Sequence, residues 1–100
     1  MTPLSIAVEP EAEDDLLEAF EWYLKRRDGL GHEFIECVDD AFERISKNAE
    51  QFAVCYRNAR QALVRRFPYV VVFVVEAKEA SIIAVFHGRR DPRQWQARLS

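Results

Sequence analysis

The sequence predicts an α+β fold: an N-terminal strand, an antiparallel helical hairpin, three antiparallel strands and a short C-terminal helix. Two apolar runs, Tyr69–Val75 and Ile82–Phe86, have the length of strands and are rich in β-branched and aromatic residues. Between Pro10 and Ala49, by contrast, apolar residues recur every three or four positions, as on helices. Helices followed by strands are typical of an α+β fold in which the helices cover one sheet face. We expect a single domain over residues 1–100.

The N-terminal strand and first helix follow from alternation and then from helical spacing. Leu4, Ile6 and Val8 alternate within Leu4–Glu9 and predict a strand with one buried face. Pro10 suits the first turn of a helix. The acidic residues of that turn, interpreted as complementing the helix dipole, are Glu11, Glu13, Asp14 and Asp15. The predicted apolar stripe consists of Ala12, Leu16, Ala19, Phe20, Tyr23 and Leu24. Lys25, Arg26 and Arg27 end this helix, with Gly29 as a candidate C-terminal cap.

A second helix must fold back on the first, because only the short connection Asp28–Gly31 separates them. Its apolar stripe consists of Phe34, Val38, Ala41, Phe42, Ile45 and Ala49. Acidic residues cover the outer face: Glu33, Glu36, Asp39, Asp40 and Glu43. His32, at the start of this helix, is interpreted as a surface residue.

The strands of the second half are predicted with less regular connections. Residues Asn48–Asn58 are interpreted as a connection, with Phe52, Val54 and Tyr56 as anchors on the core. Ala62–Phe67 is a third strand candidate, and Pro68 should lie at a strand end, bulge or edge. The absence of glycine from Glu76–Ala80 favours a loose loop between the two strong strands. Because neither strong strand alternates with polar residues, both sheet faces should be covered.

The chain should end in a short helix. Asp91 is a suitable N-cap and Pro92 a suitable first helical residue. Trp95 and Leu99 fall on one face, so we expect Trp95 to dock this helix on the core.

The charge distribution divides the chain in two. Residues 1–50 carry 5 Lys and Arg against 14 Asp and Glu, a net charge of −9, whereas residues 51–100 carry 9 against 3, a net charge of +6. The basic half could meet an acidic partner, either nucleic acid or an acidic protein surface. No apolar run has the length of a membrane span, and no signal peptide is apparent, so we expect a cytoplasmic protein. Cys37 and Cys55 form no metal-binding pattern, and no cofactor site is recognisable.

Two motifs, together with the order of the elements, resemble the RelE/ParE toxin superfamily. Arg65-Arg66-Phe67-Pro68-Tyr69 opens the central strand, and His87-Gly88-Arg89-Arg90-Asp91-Pro92-Arg93-Gln94-Trp95 closes the last one. Both look like the ParE-type branch, and the resemblance covers nearly the whole chain. It implies a cytoplasmic toxin of a type II toxin–antitoxin (plasmid stabilisation) system, neutralised by a cognate antitoxin. ParE-like members inhibit DNA gyrase, whereas RelE-like members cut mRNA on the ribosome.

The sequence offers candidate residues for either activity. Metal-free RNA cleavage needs a base, cations for the phosphate and an acid for the leaving oxygen. The candidates for such a nuclease are His87, Arg65, Arg66, Arg90 and Tyr69. The candidates for contact with a target or antitoxin are Arg65, Arg66, Arg89, Arg90, Arg93 and Trp95. The arginines could instead form salt bridges to the acidic helices, and His87 could be a hydrogen-bonded structural residue.

Three functions are compatible with these residues. RelE-type nucleases carry a denser set of cations, including an arginine early in the strand that begins here with Tyr69 and continues with valines. This difference and the sequence pI of 5.4 favour a gyrase inhibitor without chemistry of its own. A ribosome-dependent endoribonuclease is the alternative. A toxin-fold protein that only binds an antitoxin and regulates transcription is the third possibility.

Overall fold

The computed structural model describes residues 2–99 and contains one five-stranded mixed sheet with the two long helices on one face. The elements in chain order are β1 (Ser5–Val8), α1 (Pro10–Leu24), α2 (Leu30–Asn48), β2 (Val54–Tyr56), β3 (Ala59–Leu63), β4 (Tyr69–Glu76), β5 (Glu79–His87) and α3 (Arg93–Gln96). Short 3₁₀ turns, Ala49–Gln51 and Ala97–Leu99, follow α2 and α3. The predicted α+β class and the helical hairpin on the sheet are confirmed.

The strand order is β1-β5-β4-β3-β2. Strands β3, β4 and β5 are antiparallel neighbours, as predicted. The edge strand β2, which was not predicted, pairs antiparallel with β3, and β1 joins the other edge parallel to β5. The N–H of Ser5 donates to the carbonyl of Lys78, and the N–H of Glu9 to that of Ile82.

The two helices cover one sheet face with a continuous apolar core. Its largest fully buried side chains include Phe34 and Ile45 of α2 and Phe73 of β4. Gly31 lies against Phe20, where an added β-carbon would come within 3.1 Å of the ring, so a glycine here lets the helices approach closely. The predicted helical stripes are thereby confirmed, with one exception. Leu24 is largely exposed, because it is the last residue of α1 and lies off the buried face.

The opposite sheet face is also covered, as the uninterrupted apolar strands predict. Val70, Val72 and Val74 point to this side and are buried. The C-terminal segment covers them through Trp95, which is 4% exposed. Trp95 therefore docks the terminal helix as expected. The carboxylate of Asp91 accepts a hydrogen bond from the N–H of Arg93, and the helix begins at Arg93, one residue later than predicted.

Several predicted boundaries are wrong. The third strand is Ala59–Leu63, not Ala62–Phe67, because the chain turns after Val64, whose N–H donates to the carbonyl of Tyr69. Arg66 lies in that turn with φ of +71°, so the arginine pair is not part of a strand. The predicted connection Asn48–Asn58 contains the edge strand β2, and its Val54 is exposed and does not anchor the core.

The turns also differ from expectation. Ala77 and Lys78 alone connect β4 to β5, and Ala77 adopts φ of +54°, a conformation that glycine usually supplies in such turns. The predicted loose loop is therefore a tight turn. Gly29 has φ of +81° but directly precedes α2. It is therefore the N-terminal cap position of the second helix and not the C-terminal cap of the first.

Candidate functional site

A cleft of about 370 Å³ lies between α1 and the end of the sheet where β4 begins and β5 ends. We call it the hairpin cleft. Its lining residues are Asp15, Glu18, Ala19, Trp22, Tyr23, Pro68, Tyr69, His87 and Arg90. The volume is in the range of small-molecule or side-chain pockets, and four of the nine lining residues are aromatic. The cleft thus brings together three of the sequence-predicted candidates, His87, Arg90 and Tyr69.

The sheet itself places these three side chains. Tyr69 and His87 are cross-strand partners at the open end of the β4–β5 hairpin, with ring centroids 5.5 Å apart. The N–H of Gly88 donates to the carbonyl of Pro68 at 2.8 Å, which holds the entry of β4 against the exit of β5. Arg90 follows in the next turn, where its N–H donates to the carbonyl of His87.

His87 makes a local structural hydrogen bond. Its Nδ1 accepts from the backbone N–H of Arg89 at 3.1 Å, which in the neutral ring leaves the proton on Nε2. A neutral His87 can thus donate from Nε2, and the Nδ1 acceptor is already engaged. This arrangement fixes the ring at the mouth of the cleft.

Burial dominates the electrostatics of the cleft tyrosines. Desolvation raises the pKa of Tyr69, and the positive charge of Arg90 opposes part of this effect. Burial likewise raises the pKa of Tyr23, and Tyr69 adds to the shift. Both phenols are therefore protonated at neutral pH, and they can act as hydrogen-bond donors.

The predicted arginines are distributed over two places. Arg90 lies at the rim of the hairpin cleft, 3.7 Å from the carboxylate of Glu18. Arg65 and Arg66 instead extend to carboxylates on α2: Arg65 lies 3.7 Å from Asp40, and Arg66 donates to Glu33 at 2.8 Å. The salt bridges to the acidic helices that the sequence suggested are thus present. No local sequence pattern separates Arg90 from Arg65 and Arg66.

The remaining candidates are outside the cleft. Arg93 is exposed and donates to Asp91 in its own turn. Arg89 is exposed, and within residues 2–99 it forms no ion pair. Trp95 is buried behind the sheet, edge-on to Tyr56, so it can influence a partner only by holding α3 in place.

A partly buried ion pair connects the cleft to the C-terminal segment. Arg98 donates two hydrogen bonds to the carboxylate of Asp15, at 2.7 and 3.0 Å, and this contact raises the pKa of the Arg98 guanidinium. Asp15 also accepts from the N–H of Val85, and Arg98 donates to the carbonyl of Ile83. β1 ends opposite Ile82, so no strand pairs with the N–H of Val85 or the carbonyl of Ile83 at this edge of β5. Asp15 and Arg98 form the hydrogen bonds to these two backbone groups instead.

Asp15 and Trp22 were missed as site residues, although the sequence contains a signal for each. Asp15 falls between Ala12 and Ala19 on the apolar stripe of α1, where a carboxylate needs a partner. Its carboxylate accepts hydrogen bonds from the guanidinium of Arg98 and the N–H of Val85. The interpretation that Asp15 complements the dipole of α1 is therefore wrong. Trp22 lies off that stripe, which indicates a surface position. Trp22 is half exposed and stacks under the guanidinium of Arg26 at 3.9 Å.

The part of the chain described here has no cluster of three or more histidine, cysteine or acidic residues arranged to hold a metal ion. Cys37 and Cys55 are free thiols, both partly buried. No helix within residues 2–99 is long and apolar enough to cross a membrane.

The fold and this cleft define the chain as a small α+β protein of the RelE/ParE-like class. The family model of the ParE toxin of type II toxin–antitoxin (parDE) systems matches residues 6–92. Toxin ParE2 from two strains of Mycobacterium tuberculosis, CDC 1551 / Oshkosh and H37Rv, is 32% identical over 89 residues, which is 88% of this chain and 85% of the relative.

A solved structure supports the same fold. A chain of the chromosomal ParDE toxin–antitoxin system from P. aeruginosa superposes with a TM-score of 0.72, at 18% identity, over 87% of this chain and 98% of that one. The likeness shows the same fold. The chain belongs to the ParE family of type II toxins, and the resemblance inferred from its two motifs is confirmed.

Proposed function

We propose that this chain is a ParE-type toxin that inhibits DNA gyrase in the cytoplasm, and that a cognate antitoxin neutralises it. Family membership over residues 6–92 carries the proposal. The M. tuberculosis relatives are named toxins, and the structural neighbour is described as part of a toxin–antitoxin system. This chain therefore acts as the toxin of such a pair.

The geometry of the hairpin cleft supports inhibition by binding. Cleavage of a phosphodiester needs several cations directed at one developing negative charge. Here Arg90 lies at the rim beside Glu18, while Arg65 and Arg66 contact α2. The strand beside the cleft, Val70–Val74, contributes only apolar side chains. An aromatic cleft with one guanidinium at its rim suits a protein anchor better than a phosphate.

The rim of the hairpin cleft is the proposed contact with gyrase. Trp22, His87 and Arg90 combine aromatic surface with a cation, the residue types that are enriched among binding hot spots.

A plasmid supercoiling assay with purified gyrase tests this function. Titration with the folded toxin should stop supercoiling and accumulate cleaved DNA, and equimolar antitoxin should restore supercoiling. If gyrase is unaffected by toxin that still arrests growth, the gyrase target is wrong.

The ribosomal alternative then becomes the next test. Cleavage of mRNA on ribosomes that is lost in His87→Ala would establish a nuclease. Expression without growth arrest would instead favour a protein that only binds its antitoxin.

A further inference from the structure

Tyr23 and Tyr69 are buried tyrosines whose hydroxyl groups have no partner in the part of the chain that the structure describes. They are only 8% and 6% exposed, and both line the hairpin cleft. Within residues 2–99 neither phenol oxygen forms a hydrogen bond, yet neither is fully enclosed. A buried hydroxyl without a partner costs free energy, so most such groups are satisfied by a neighbouring group or by water. Two of them on one wall therefore indicate a site that a bound group completes.

Packing holds these two rings in place, and their hydroxyls take no part in it. The ring centroid of Tyr23 lies 4.9 Å from that of Phe67 and 5.2 Å from that of Phe34, and Tyr69 lies 5.1 Å from Phe34. The two tyrosine rings are 6.1 Å apart. The core thus fixes the position of each hydroxyl, and a hydroxyl can be removed without loss of an internal contact.

Two further donors line the cleft beside these phenols. His87 is the cross-strand partner of Tyr69, and its neutral ring can donate from Nε2 because Nδ1 accepts from Arg89. The guanidinium of Arg90 lines the same cleft. Both phenols are protonated at neutral pH, because burial raises the pKa of Tyr69 and of Tyr23. The cleft therefore combines three uncharged donors with one cation, and the group that satisfies them must be an acceptor.

Arg90 is only weakly paired within the protein. Its guanidinium lies 3.7 Å from the carboxylate of Glu18, which is beyond hydrogen-bond distance, and the side chains are 51% and 73% exposed. An exposed pair of this kind contributes little to stability. A carboxylate that enters the cleft can therefore replace Glu18 beside Arg90 at little cost. The other carboxylate of the cleft, that of Asp15, is occupied by two hydrogen bonds from Arg98.

We infer that the hairpin cleft is a carboxylate-binding subsite, in which the two phenols, the Nε2–H of His87 and the guanidinium of Arg90 receive an aspartate or glutamate side chain of gyrase. The oxygens of a carboxylate offer about four acceptor positions, enough for these donors. Hydrogen bonds to a charged acceptor are also shorter and stronger than neutral ones. The inference rests on the proposed function in naming gyrase as the partner, whereas the carboxylate chemistry follows from the cleft alone.

Other classes of ligand fit these donors less well. A phosphate monoester carries more negative charge than one guanidinium balances. A cationic side chain would meet Arg90 and leave the phenol protons without an acceptor. A neutral amide could accept from the phenols but would leave the charge of Arg90 unbalanced. A carboxylate matches both the charge and the donors.

The test is the concentration of toxin that halves gyrase supercoiling, measured for variants whose folding is verified by circular dichroism. Tyr69→Phe and Tyr23→Phe should each raise this concentration about tenfold, because each removes a hydrogen bond to a charged acceptor. Neither should lower stability toward urea, because the hydroxyls have no partner within residues 2–99. Tyr56→Phe, on the opposite sheet face, is the matched control and should inhibit as the wild type does.

Glu18 provides a test in the opposite direction. Glu18→Gln should lower the toxin concentration needed about threefold, because it removes the carboxylate that competes for Arg90. In an Arg90→Gln background the same change should have no effect, since no guanidinium remains to be released. Glu21→Gln removes the same charge from α1 outside the cleft and should leave inhibition unchanged.

Sodium acetate and acetamide test the carboxylate chemistry without gyrase. In NMR titrations of the wild-type toxin at constant ionic strength, acetate should shift the ring signals of Tyr69 and His87, and acetamide should not. If the wild-type toxin does not inhibit gyrase but acetate shifts these signals, the carboxylate subsite is supported and the proposed target is wrong.

Four results would overturn the inference. Inhibition could be unchanged in both tyrosine variants, or it could weaken equally in Tyr56→Phe. Glu18→Gln could inhibit less well than wild type, or acetate and acetamide could shift the same signals equally. If the two tyrosine variants lose affinity for the antitoxin and still inhibit gyrase, the carboxylate belongs to the antitoxin and its assignment to gyrase is wrong.

Discussion

The hairpin cleft and the arginine edge, which is the outer edge of β3 at Leu63 with Arg44, Arg65 and Arg66, both present arginines, yet they offer partners different chemistry. In the cleft, aromatic rings and Ala19 form a concave wall, and a single guanidinium, that of Arg90, lies at the rim. On the outer edge of β3, by contrast, the carbonyl of Leu63 accepts a hydrogen bond from Arg44, no strand of residues 2–99 lies opposite the N–H of Leu63, and several guanidinium groups share two carboxylates. A concave aromatic site selects an anchoring side chain, whereas an open edge selects an extended backbone. We therefore expect the target at the cleft and the antitoxin at the arginine edge.

The largest expected effect comes from reversing the charge at the cleft rim. Arg90→Glu should weaken gyrase inhibition about a hundredfold, a loss of about 3 kcal/mol that is typical of a binding hot spot. The assay is the concentration of toxin needed to halve supercoiling. Antitoxin binding should be unchanged.

Arg93→Glu is the control for this variant, because Arg93 is equally cationic but lies outside the cleft and contacts Asp91 in its own turn. Equal losses for both variants would indicate that total charge, and not the cleft, governs inhibition.

The next effect concerns the anchor that holds α1 against β5. Asp15→Ala should destabilise the protein by about 2 kcal/mol, because it leaves Arg98 and the N–H of Val85 without their acceptor. This value is below that for fully buried pairs, since both side chains keep partial contact with solvent. Chemical denaturation gives the free energy of unfolding.

Asp14→Ala removes an exposed carboxylate from the next position of α1 and should change stability by no more than about 0.5 kcal/mol. If the two variants are equally stable, the ion pair between Asp15 and Arg98 does not stabilise the fold.

A smaller effect should appear at alkaline pH. Burial raises the pKa of Tyr69 and Tyr23 in the folded protein above the ordinary value of 10.0. Above about pH 10 the unfolded chain therefore releases these protons first, so stability falls as the pH rises. Ultraviolet titration should show delayed ionisation of Tyr69 and Tyr23 in the native protein.

Tyr69→Phe should remove one of the delayed ionisations. Tyr56→Phe, on the opposite sheet face, should leave them in place. Native tyrosines that all ionise at the ordinary value would mean that the cleft is open to water.

The smallest effect belongs to the arginine edge in acid. Hydrogen bonds from Arg66 and Arg27 lower the pKa of Glu33 below its ordinary value of 4.5. The contribution of ionised Glu33 to stability is complete above the unfolded pKa and disappears as the pH falls through the folded one. An NMR titration of the Glu33 carboxyl should show the lowered value.

Arg66→Ala should move the pKa of Glu33 back toward the ordinary value, whereas Arg44→Ala, whose side chain contacts Asp40 instead, should not. An unchanged pKa in Arg66→Ala would contradict the ion pair that positions Arg66 beside α2.

Sequence patterns predicted the elements that are long and regular. The helical stripes and the strands β4 and β5 have strong periodicity or composition, so the fold class follows from them. β2 has only three residues and Val54 is exposed, so it lacks a periodic signal. The tight turn at Ala77 contradicts local preference and depends on the pairing of the whole hairpin.

The candidate site was only partly predictable for a related reason. His87 and Tyr69 are close because they are cross-strand partners, and both motifs pointed to that end of the hairpin. The separation of Arg90 from Arg65 and Arg66 depends on which helix each one meets, and that is a long-range property. Asp15 and Arg98 are 83 positions apart, so no local pattern connects them.

The most direct test of two separate surfaces is a supercoiling assay of three toxins, each with and without antitoxin: wild type, Arg90→Glu and Leu63→Glu. We expect the wild-type toxin to inhibit gyrase, and the antitoxin to relieve this inhibition. Arg90→Glu should not inhibit but should still bind antitoxin, and Leu63→Glu should inhibit without being relieved, because its charge lies at the arginine edge and outside the cleft. If either variant loses both properties while remaining folded, or if Arg90→Glu inhibits like wild type, the assignment of target and antitoxin to different surfaces is wrong.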